Sequence, residues 1–251
     1  MTRLFCFLSG LILLVGCGTQ PRVLTQNGPV SAATELINKS IAYHDPRSNW
    51  LQVQSTVHIN SVITRIGQDT QHSKTTVDLD NKHGVFKVHR VDDQVAFKGA
   101  ITQDTCYNDI LTELSVEDRA QYERLLGCKG ATLYKNYYSY LLGIPMKLLD
   151  PEAIVNGDIL QRTYDGVTYD VVKVQYEPLD SSYVWYFYFD KSTHAMSLCK
   201  FTSKEDELSG GEYLLYNGKQ SYQDIIFSSE IIWLYNTPTL DTLAVEQLSF
   251  N

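Results

Sequence analysis

A helix-length stretch in the middle of the chain, Thr132–Pro151, constrains the fold more than any other segment. Its first half carries apolar or aromatic side chains around most of a helical circumference, with Leu133, Tyr137 and Leu141 on one stripe. A helix on a protein surface shows a single apolar stripe, so a helix of this kind needs cover on several sides. Because strand-like segments surround it in the sequence, we expect a curved sheet to supply that cover.

The composition is that of a globular protein and excludes some partners. The 251 residues are 43% hydrophobic and 20% charged, and the formal net charge is −8. A surface that binds nucleic acid needs a basic face. A negative net charge also disfavours binding to an anionic bilayer by charge alone. We expect a single β-rich domain over residues 31–251, with no nucleic-acid partner.

The first residues predict a secreted protein. Arg3 is followed by the apolar run Leu4–Val15, which is shorter than the roughly 20 residues that span a bilayer. A charged start followed by a short apolar run is typical of a signal peptide, which we assign to residues 1–16. Residues 17–30 are rich in Pro, Gly and polar side chains and are predicted to form a flexible tether.

A cysteine at the end of the apolar run gives the signal peptide a more specific interpretation. Leu14-Val15-Gly16-Cys17 resembles the lipobox of bacterial lipoproteins. The resemblance implies cleavage before Cys17, acylation of this residue and anchoring to a membrane by more than one acyl chain. Cys17 is followed by Gly18 rather than by an acidic residue. In Gram-negative lipoproteins this pattern resembles that of proteins sorted to the outer membrane, with the domain facing the periplasm. Export to the cell surface, and an ordinary signal peptide with a chance cysteine, are the alternatives.

Residues after the tether show first a helical and then a strand pattern. Ser31–Tyr43 has an apolar face at helical spacing behind a serine N-cap. From Leu51 to Ile63 the period becomes two, which predicts a long half-buried strand. Ser182–Asp190 is apolar or aromatic on both faces, which predicts a central strand. Further strands are predicted at 75–80, 84–90, 93–98, 158–164, 168–177, 195–202, 212–217, 222–228, 230–236 and 239–250.

A helical insert is predicted between two blocks of strands, at about residues 102–149. Within it, Ile110, Leu111 and Leu114 predict one short helix, and Ser115 predicts the N-cap of a second. Gly127 is typical of a residue that ends a helix. The apolar helix described above completes the insert.

Three of the five cysteines, Cys106, Cys128 and Cys199, lie beyond the predicted signal peptide and lipidation site. Cys106 and Cys128 bracket the first part of the insert, and a helix pair that returns on itself would bring them together. Export permits disulfides, so we predict a bond between these two residues. Cys199 lies in a predicted strand and is expected to be a buried thiol. The spacings match no zinc motif, and we predict no metal site.

His44 and Asp45 form the pair that most resembles a catalytic arrangement, since a carboxylate stands beside an imidazole. Adjacent residues rarely orient each other as a dyad, and the C-terminus of a helix also favours a histidine. Helix termination, a ligand contact and a hydrolase site are therefore the alternatives. The sequence contains no motif of serine hydrolases, zinc proteases, P-loop proteins or dinucleotide-binding proteins. We predict a protein without enzymatic activity, cofactor or catalytic residues.

Three segments resemble a family of Gram-negative lipoproteins to which no function is assigned. They are Ile41–Pro46, Asn136–Pro151, and the aromatic strands Val184–Phe201 followed by Gly211-Glu212. The family is similar in turn to the Lol-type carriers and receptors of outer-membrane lipoproteins. This resemblance implies an α+β fold in which a strongly curved antiparallel sheet, an open β-barrel, has helices packed on its concave side.

An apolar helix facing aromatic strands predicts a place for an apolar ligand, such as an acyl chain or a lipidated peptide. The candidate contacts are Tyr137, Tyr140, Leu141, Ile144 and Met146 on the helix side, and Trp185, Tyr186 and Tyr188 on the sheet. One alternative is an envelope scaffold or interaction protein in which these residues simply fill the core. The other is a hydrolase that uses His44 and Asp45. The sequence identifies no protein partner.

Overall fold

The computed structural model of the protein describes residues 30–176, 183–203 and 210–251. The predicted signal peptide, Cys17 and residues 17–29 of the predicted tether lie outside the described residues. The described residues form an α+β protein, mostly antiparallel sheet with few helices. They group into two units, each with its own packing. Unit 1 contains residues 30–46, 144–216 and 234–241, and unit 2 contains residues 47–143, 217–233 and 242–251.

The helices and strands follow one another in a simple order. The helices are α1 (Ala32–His44), α2 (Val116–Gln121) and α3 (Gly127–Gly143), and 3₁₀ turns form at Trp50–Gln52, Glu123–Leu125 and Met146–Leu149. The strands are β1 (Gln54–Ile63), β2 (Gln71–Asp80), β3 (Val85–Asp92), β4 (Ala96–Ile101), β5 (Cys106–Ile110), β6 (Ala153–Tyr164), β7 (Val167–Tyr176), β8 (Tyr183–Phe189), β9 (Met196–Ser203), β10 (Glu212–Asn217), β11 (Gln220–Tyr222), β12 (Ile225–Phe227), β13 (Glu230–Tyr235) and β14 (Thr242–Phe250). No helix in these ranges has the length and apolar character needed to cross a membrane.

Unit 1 is built on an antiparallel sheet with the order β10-β9-β8-β7-β6. The predicted central strand is confirmed, since β8 pairs with β7 and β9 and is buried over nearly its whole length. Asp165-Gly166 joins β6 to β7, with φ angles of +46° and +75° that an Asp-Gly pair adopts readily in a tight hairpin. Helix α1 packs against β6. It begins at the predicted N-cap Ser31, whose hydroxyl accepts the N–H of Thr34.

Unit 2 is built on the strand order β5-β4-β3-β2-β1-β14-β13, with α3 packed on β3, β4 and β5. The long strand predicted from Leu51 begins later, at Gln54, because Trp50–Gln52 forms a 3₁₀ turn. From there it alternates between buried and exposed positions as expected. The short hairpin β11–β12 completes this unit. A single domain over residues 31–251 stays a prediction.

The prediction of a helix near Ile110 is wrong. Cys106–Ile110 forms β5, whose backbone pairs antiparallel with β4 and places Asn108 opposite Gly99. Five residues of alternating pattern fit a short edge strand as well as a helix, and the long-range pairing decides between them. Ser115 does cap α2, accepting the N–H of Asp118. Gly127, with a φ of +62°, follows the end of the 3₁₀ turn Glu123–Leu125 and is also the first residue of α3.

Candidate functional site

Helix α3 places a row of aromatic side chains against the sheet of unit 2. Its buried members are Tyr134, Tyr137, Tyr138, Tyr140, Leu141 and Leu142, together with the glycines and alanine between them. Tyr138 is 1% exposed and lies at the centre. The helix is therefore buried on several sides, as its apolar circumference predicts.

The rings of α3 contact one another and the strands below. Tyr134 stacks on Tyr138 with 6.2 Å between ring centroids and lies 6.3 Å from the ring of Phe97 in β4. Tyr137 meets Tyr138 edge-on at 4.8 Å and stacks on Trp233 of β13 at 6.3 Å. These separations lie within the range of attractive aromatic pairs, so the rings form one continuous apolar layer.

A row of polar side chains crosses the central strands of the same sheet. The strand register places Glu246 opposite Ser61, Ser61 opposite Ser73, and Ser73 opposite Asp92, across β14, β1, β2 and β3. Residues directly opposite each other share a face of the sheet. Glu246, Ser61 and Ser73 are all buried. Among the described residues, the Ser73 hydroxyl has no hydrogen-bond partner.

The carboxylate of Glu246 is the most unusual member of this polar row. The Ser61 hydroxyl donates to Oε1 across 3.2 Å, and the Trp233 indole N–H donates to Oε2 across 3.1 Å. Burial raises the pKa of Glu246 above its ordinary value, and the two hydrogen bonds and the charge of Arg90 oppose the rise only in part. A buried carboxyl with these partners can bind a proton more readily than an exposed one.

Arg90 brings a positive charge to the next position along the sheet. It lies opposite Thr75, with 19% of its side chain exposed, and its Nε is 3.7 Å from Oδ2 of Asp92. Tyr138 Oη lies 3.4 Å from Oγ1 of Thr75 and donates a hydrogen bond to it. Desolvation disfavours the charge on Arg90, but Tyr138, Tyr134 and Asp92 outweigh it and the pKa of Arg90 lies above its ordinary value. The guanidinium is therefore a permanent cation at the edge of an aromatic layer.

The arrangement combines an aromatic layer with a row of charged and polar side chains. The aromatic layer offers apolar contact, while the polar row offers two carboxyls and two hydroxyls, with the guanidinium of Arg90 beside them. In the described part of the chain, no group of three or more His, Cys, Asp or Glu side chains is placed to hold a metal ion. An apolar layer beside a few fixed polar groups is the usual composition of a small-molecule binding site.

The predicted ligand contacts fall into two sets. Tyr137, Tyr140 and Leu141 belong to α3 in unit 2 and are buried there. Ile144 and Met146 follow the helix and belong to unit 1, the first buried and the second half-buried. The three residues predicted on the sheet, all in β8, also belong to unit 1.

The three predicted residues of β8 do not share one face. Tyr186 and Tyr188 pack in a cluster with Val171 and Leu198. Trp185 points to the other face of the strand, because side chains alternate, and stacks on Phe201 at 4.8 Å. A ligand on one face of β8 can therefore contact Trp185 or the two tyrosines, but not all three.

His44 and Asp45 lie buried at the end of α1. The backbone N–H of Met196 donates a hydrogen bond to Nε2 of His44, with 3.2 Å between the two nitrogens. Nε2 is therefore the acceptor of a structural hydrogen bond that joins α1 to the start of β9. The geometry favours helix termination with a structural bond over the hydrolase alternative.

The cysteines are arranged as a disulfide and one free thiol within the described residues. Cys106 of β5 and Cys128 of α3 are bonded to each other, with 4.8 Å between their Cα atoms. Cys199 is a free, fully buried thiol in β9, and burial raises its pKa well above the ordinary value. The disulfide joins the first turn of α3 to the edge strand of its sheet.

Sequence reasoning missed the polar row. Arg90 and Glu246 were assigned to strands, but neither was recognised as a candidate for the site. The signal was present: Glu246 falls at the same alternation as the buried residues Ala244 and Leu248, so its carboxylate had to point inward. A charged residue at an inward position of a strand is rare enough to be examined as a site.

The chain belongs to DUF6503, a family of unknown function, whose model matches residues 12–245. The predicted membership in a family without an assigned function is confirmed. No functionally curated protein matches the chain.

Several solved structures are similar to this chain. A LolA superfamily protein from Nitrosomonas europaea is 10% identical over 88% of this chain and 92% of its own, with a TM-score of 0.48. A domain described as an outer membrane lipoprotein-sorting protein from Vibrio parahaemolyticus is 12% identical over 86% and 91%, with a TM-score of 0.48. A DUF1329 family protein from Desulfovibrio piger is 12% identical over 87% and 92%, with a TM-score of 0.49.

Proposed function

We propose that the protein is a non-enzymatic lipoprotein of the cell envelope that holds an apolar ligand between α3 and the sheet of unit 2. The proposed ligand is an acyl chain or a lipidated peptide. Tyr137, Tyr140 and Leu141 are its proposed contacts on the helix. The polar row of Glu246, Ser61, Ser73 and Asp92, with Arg90 beside it, would receive the polar end of the ligand.

The observation that carries this proposal is the burial of Glu246 beneath an aromatic helix. A charged group in an apolar core usually makes a protein less stable than a well-packed hydrophobic residue of similar size would. Departures of this kind from the local rules of folding are expected at functional sites. Binding sites for small molecules are mostly apolar with a few fixed polar groups, which is the composition found under α3.

Anchoring and location form the second part of the proposal. The lipobox-like Leu14-Val15-Gly16-Cys17 supports acylation of Cys17, and Gly18 supports sorting to the outer membrane with the domain facing the periplasm. The membrane is then a partner through the N-terminal lipid. The form of the sheet, a strongly curved open barrel with helices on its concave side, belongs to the same proposal and is supported by the sequence resemblance.

The other predicted contacts are not part of this ligand site. Ile144 and Met146 follow α3 in the sequence but belong to unit 1, as does β8 with Trp185, Tyr186 and Tyr188. On β8 itself, Trp185 lies on the face opposite the two tyrosines.

The closeness of the rings around Tyr138 favours a second function. Tyr137 and Tyr138 meet at 4.8 Å, and Tyr138 is 1% exposed, which is typical of a filled core. In that case the protein is an envelope scaffold or interaction protein that works through its surface.

Lipid extraction with native mass spectrometry separates these two functions. The domain from Val23 onward is purified without detergent, and a stoichiometric acyl-bearing molecule is the expected result. An empty, stable protein that takes up no fluorescent fatty acid contradicts the ligand proposal and favours the scaffold.

A pair of matched variants then locates the ligand. Leu141→Ala removes a buried leucine of α3, and Leu198→Ala removes a buried leucine from the sheet of unit 1. Both are expected to lose stability by about 2–5 kcal/mol. Only Leu141→Ala is expected to weaken uptake of a fluorescent fatty acid, provided that circular dichroism shows both variants folded. Equal uptake by the two variants contradicts the proposed location.

A further inference from the structure

One face of the sheet in unit 1 combines tyrosines and cations in a regular row. Lys173 lies opposite Tyr186, Tyr186 opposite Lys200, and Lys200 opposite Tyr213, across β7, β8, β9 and β10. Direct cross-strand partners share a face. The same alternation adds further tyrosines, a third cation and several apolar residues. We name this surface the Tyr–Lys face; its members used below are Arg162, Tyr164, Val167, Tyr169, Lys173, Tyr186, Tyr188, Lys200 and Tyr213.

The Tyr–Lys face differs in charge from the chain as a whole. The sequence has 29 acidic and 21 basic residues. Yet the described strand residues whose register places them on this face include Arg162, Lys173 and Lys200 and no Asp or Glu. In the described part of the chain, Asp165 and Asp190 stand in turns near Tyr164 and Tyr169 at one end of it, and Asp158 follows the same alternation in β6 beside an irregularity in the pairing. The face is therefore locally cationic on an anionic protein.

The side chains of the Tyr–Lys face form a connected layer. Lys173 Nζ lies 5.7 Å from the ring centroid of Tyr186, and Lys200 Nζ lies 5.7 Å from that of Tyr213. Tyr188 meets Tyr169 at 5.9 Å and Tyr213 at 6.5 Å between ring centroids. A cation at this distance from the face of a tyrosine ring is attracted to it.

Part of this layer is open to solvent. Arg162 is exposed, and Val167 is 46% exposed at the β6–β7 hairpin. Tyr164, Tyr169 and Lys173 are half-buried. A partner can therefore reach Arg162, Lys173 and the outer edges of Tyr164 and Tyr169 without opening the fold, whereas Lys200, Tyr186 and Tyr188 are buried.

We propose that the Tyr–Lys face docks onto the anionic headgroup surface of the membrane that holds the lipid anchor. Tyrosine is enriched at membrane interfaces because its ring is apolar and its hydroxyl is polar. Lysine and arginine close to an anionic bilayer are attracted to it. Because the net charge of the chain is −8, the protein can approach such a surface only through a locally cationic face.

The position of the anchor supports the membrane as the partner, and this step rests on the anchoring proposed above. Residues 17–30 can span at most about 50 Å. They lead into α1, which packs on β6, the strand that carries Arg162. The anchor therefore enters the unit that carries the Tyr–Lys face. A tethered domain meets its surface at high effective concentration, so even a weak contact is populated.

A spin label on the full lipidated chain in vesicles tests this proposal. Val167→Cys places a nitroxide on the exposed edge of the Tyr–Lys face, and Val116→Cys places one on α2 in unit 2, where Val116 is 83% exposed. The vesicles contain phosphatidylcholine alone, or with about 30% phosphatidylglycerol. The expected result is that the label at residue 167, and not that at residue 116, loses accessibility to a water-soluble relaxation agent on the anionic vesicles only.

Charge-removing variants show whether the cations cause the effect. Arg162→Gln with Lys173→Gln is expected to reduce the anionic-specific change about tenfold or more. Lys87→Gln with Lys98→Gln removes two exposed charges from strands of unit 2 and is expected to leave it intact. Equal accessibility of the label at residue 167 on the two kinds of vesicle overturns the proposal. So does a control variant, Lys87→Gln with Lys98→Gln, that reduces the anionic-specific change as much as Arg162→Gln with Lys173→Gln does.

Failure of the anchor and failure of the face give different results. A chain that does not float with neutral vesicles lacks the lipid anchor. The face is then judged from flotation with the anionic vesicles alone, and flotation that does not depend on Arg162 and Lys173 overturns it. Flotation that depends on both residues supports the Tyr–Lys face as the docking surface. This result does not depend on whether the chain is lipidated or whether a ligand is bound at α3.

Discussion

The indole N–H of Trp233 donates a hydrogen bond to the carboxylate of Glu246, with 3.1 Å between Nε1 and Oε2. The Ser61 hydroxyl donates to the other oxygen, so each carboxylate oxygen has a neutral donor. Burial nevertheless raises the pKa of Glu246 above its ordinary value. Neutral donors hold the carboxylate in place without compensating fully for the water that it has lost.

Replacing Glu246 with Gln is expected to change how stability depends on pH. Because the pKa of this carboxyl is raised in the folded state, the folded protein binds the proton more tightly than the unfolded chain does. The contribution of Glu246 to the free energy of unfolding therefore increases as the pH falls from neutral through the folded-state pKa. This contribution levels off below the pKa that the Glu246 carboxyl has in the unfolded chain. The Gln variant lacks this contribution.

Urea unfolding at about pH 7 and pH 5 measures the effect. The natural chain is expected to gain stability relative to Glu246→Gln on acidification. Glu117→Gln removes an exposed carboxyl from α2 and controls for the general change in charge. A difference between the natural chain and Glu246→Gln that is the same at both pH values contradicts the prediction.

Gly130→Ala is expected to destabilise the protein although alanine is the better helix former. Gly130 is buried near the start of α3, and a Cβ there would collide with the backbone carbonyl of Leu125. That carbonyl also accepts a hydrogen bond from the side-chain amide of Asn108, which holds it in place. Where space permits, a glycine-to-alanine change in a helix stabilises by up to about 1 kcal/mol. Here we expect a loss of roughly 1–3 kcal/mol.

Thermal unfolding decides the sign of the Gly130 effect. Lys129→Ala, at the exposed neighbouring position, is the control and should stay within about 0.5 kcal/mol of the natural chain. A higher Tm for Gly130→Ala means that Leu125 and Asn108 can move aside.

Elements whose signals are local could be predicted from the sequence. Ser31 and Ser115 each cap a helix with a hydroxyl that accepts a nearby N–H, an interaction within four residues. Alternation predicted β1, because one of its faces is buried and the other exposed. The strand β5 could not be predicted in this way, since its five residues become a strand only by pairing with β4.

The candidate site could be predicted only in its apolar half. The aromatic circumference of α3 is a property of one segment, and its burial follows from that property. The polar row depends on which residues of β14, β1, β2 and β3 stand opposite one another, and no local signal contains that register. The same limit explains why Trp185 was grouped with Tyr186 and Tyr188: a list of aromatic residues does not separate the two faces of a strand unless alternation is applied to it.

The disulfide between Cys106 and Cys128 is expected to stabilise the protein against unfolding. The two residues are separated by 22 positions, and in the chain-entropy model a loop of this length corresponds to about 3 kcal/mol. Guanidinium unfolding with and without a thiol reductant should show a loss of this order. Cys106→Ala with Cys128→Ala should behave like the reduced protein and respond no further to reductant. Cys199→Ala, which removes the buried free thiol, should keep its response to reductant.

His44 is expected to matter for stability and not for turnover. Its Nε2 accepts the backbone N–H of Met196 in a buried position, so His44→Ala leaves that N–H without this acceptor and is expected to lose about 1–3 kcal/mol. His44→Gln offers a carbonyl oxygen and should restore part of the loss, which a purely catalytic histidine would not show. Chemical unfolding of the two variants, run beside ester and peptide hydrolysis assays, separates the roles. Hydrolysis by the natural chain that disappears in both variants, with little change in stability, would assign His44 to catalysis instead. If His44→Ala loses more stability than His44→Gln, and none of the three proteins shows hydrolysis, the role of His44 is the structural hydrogen bond that joins α1 to β9.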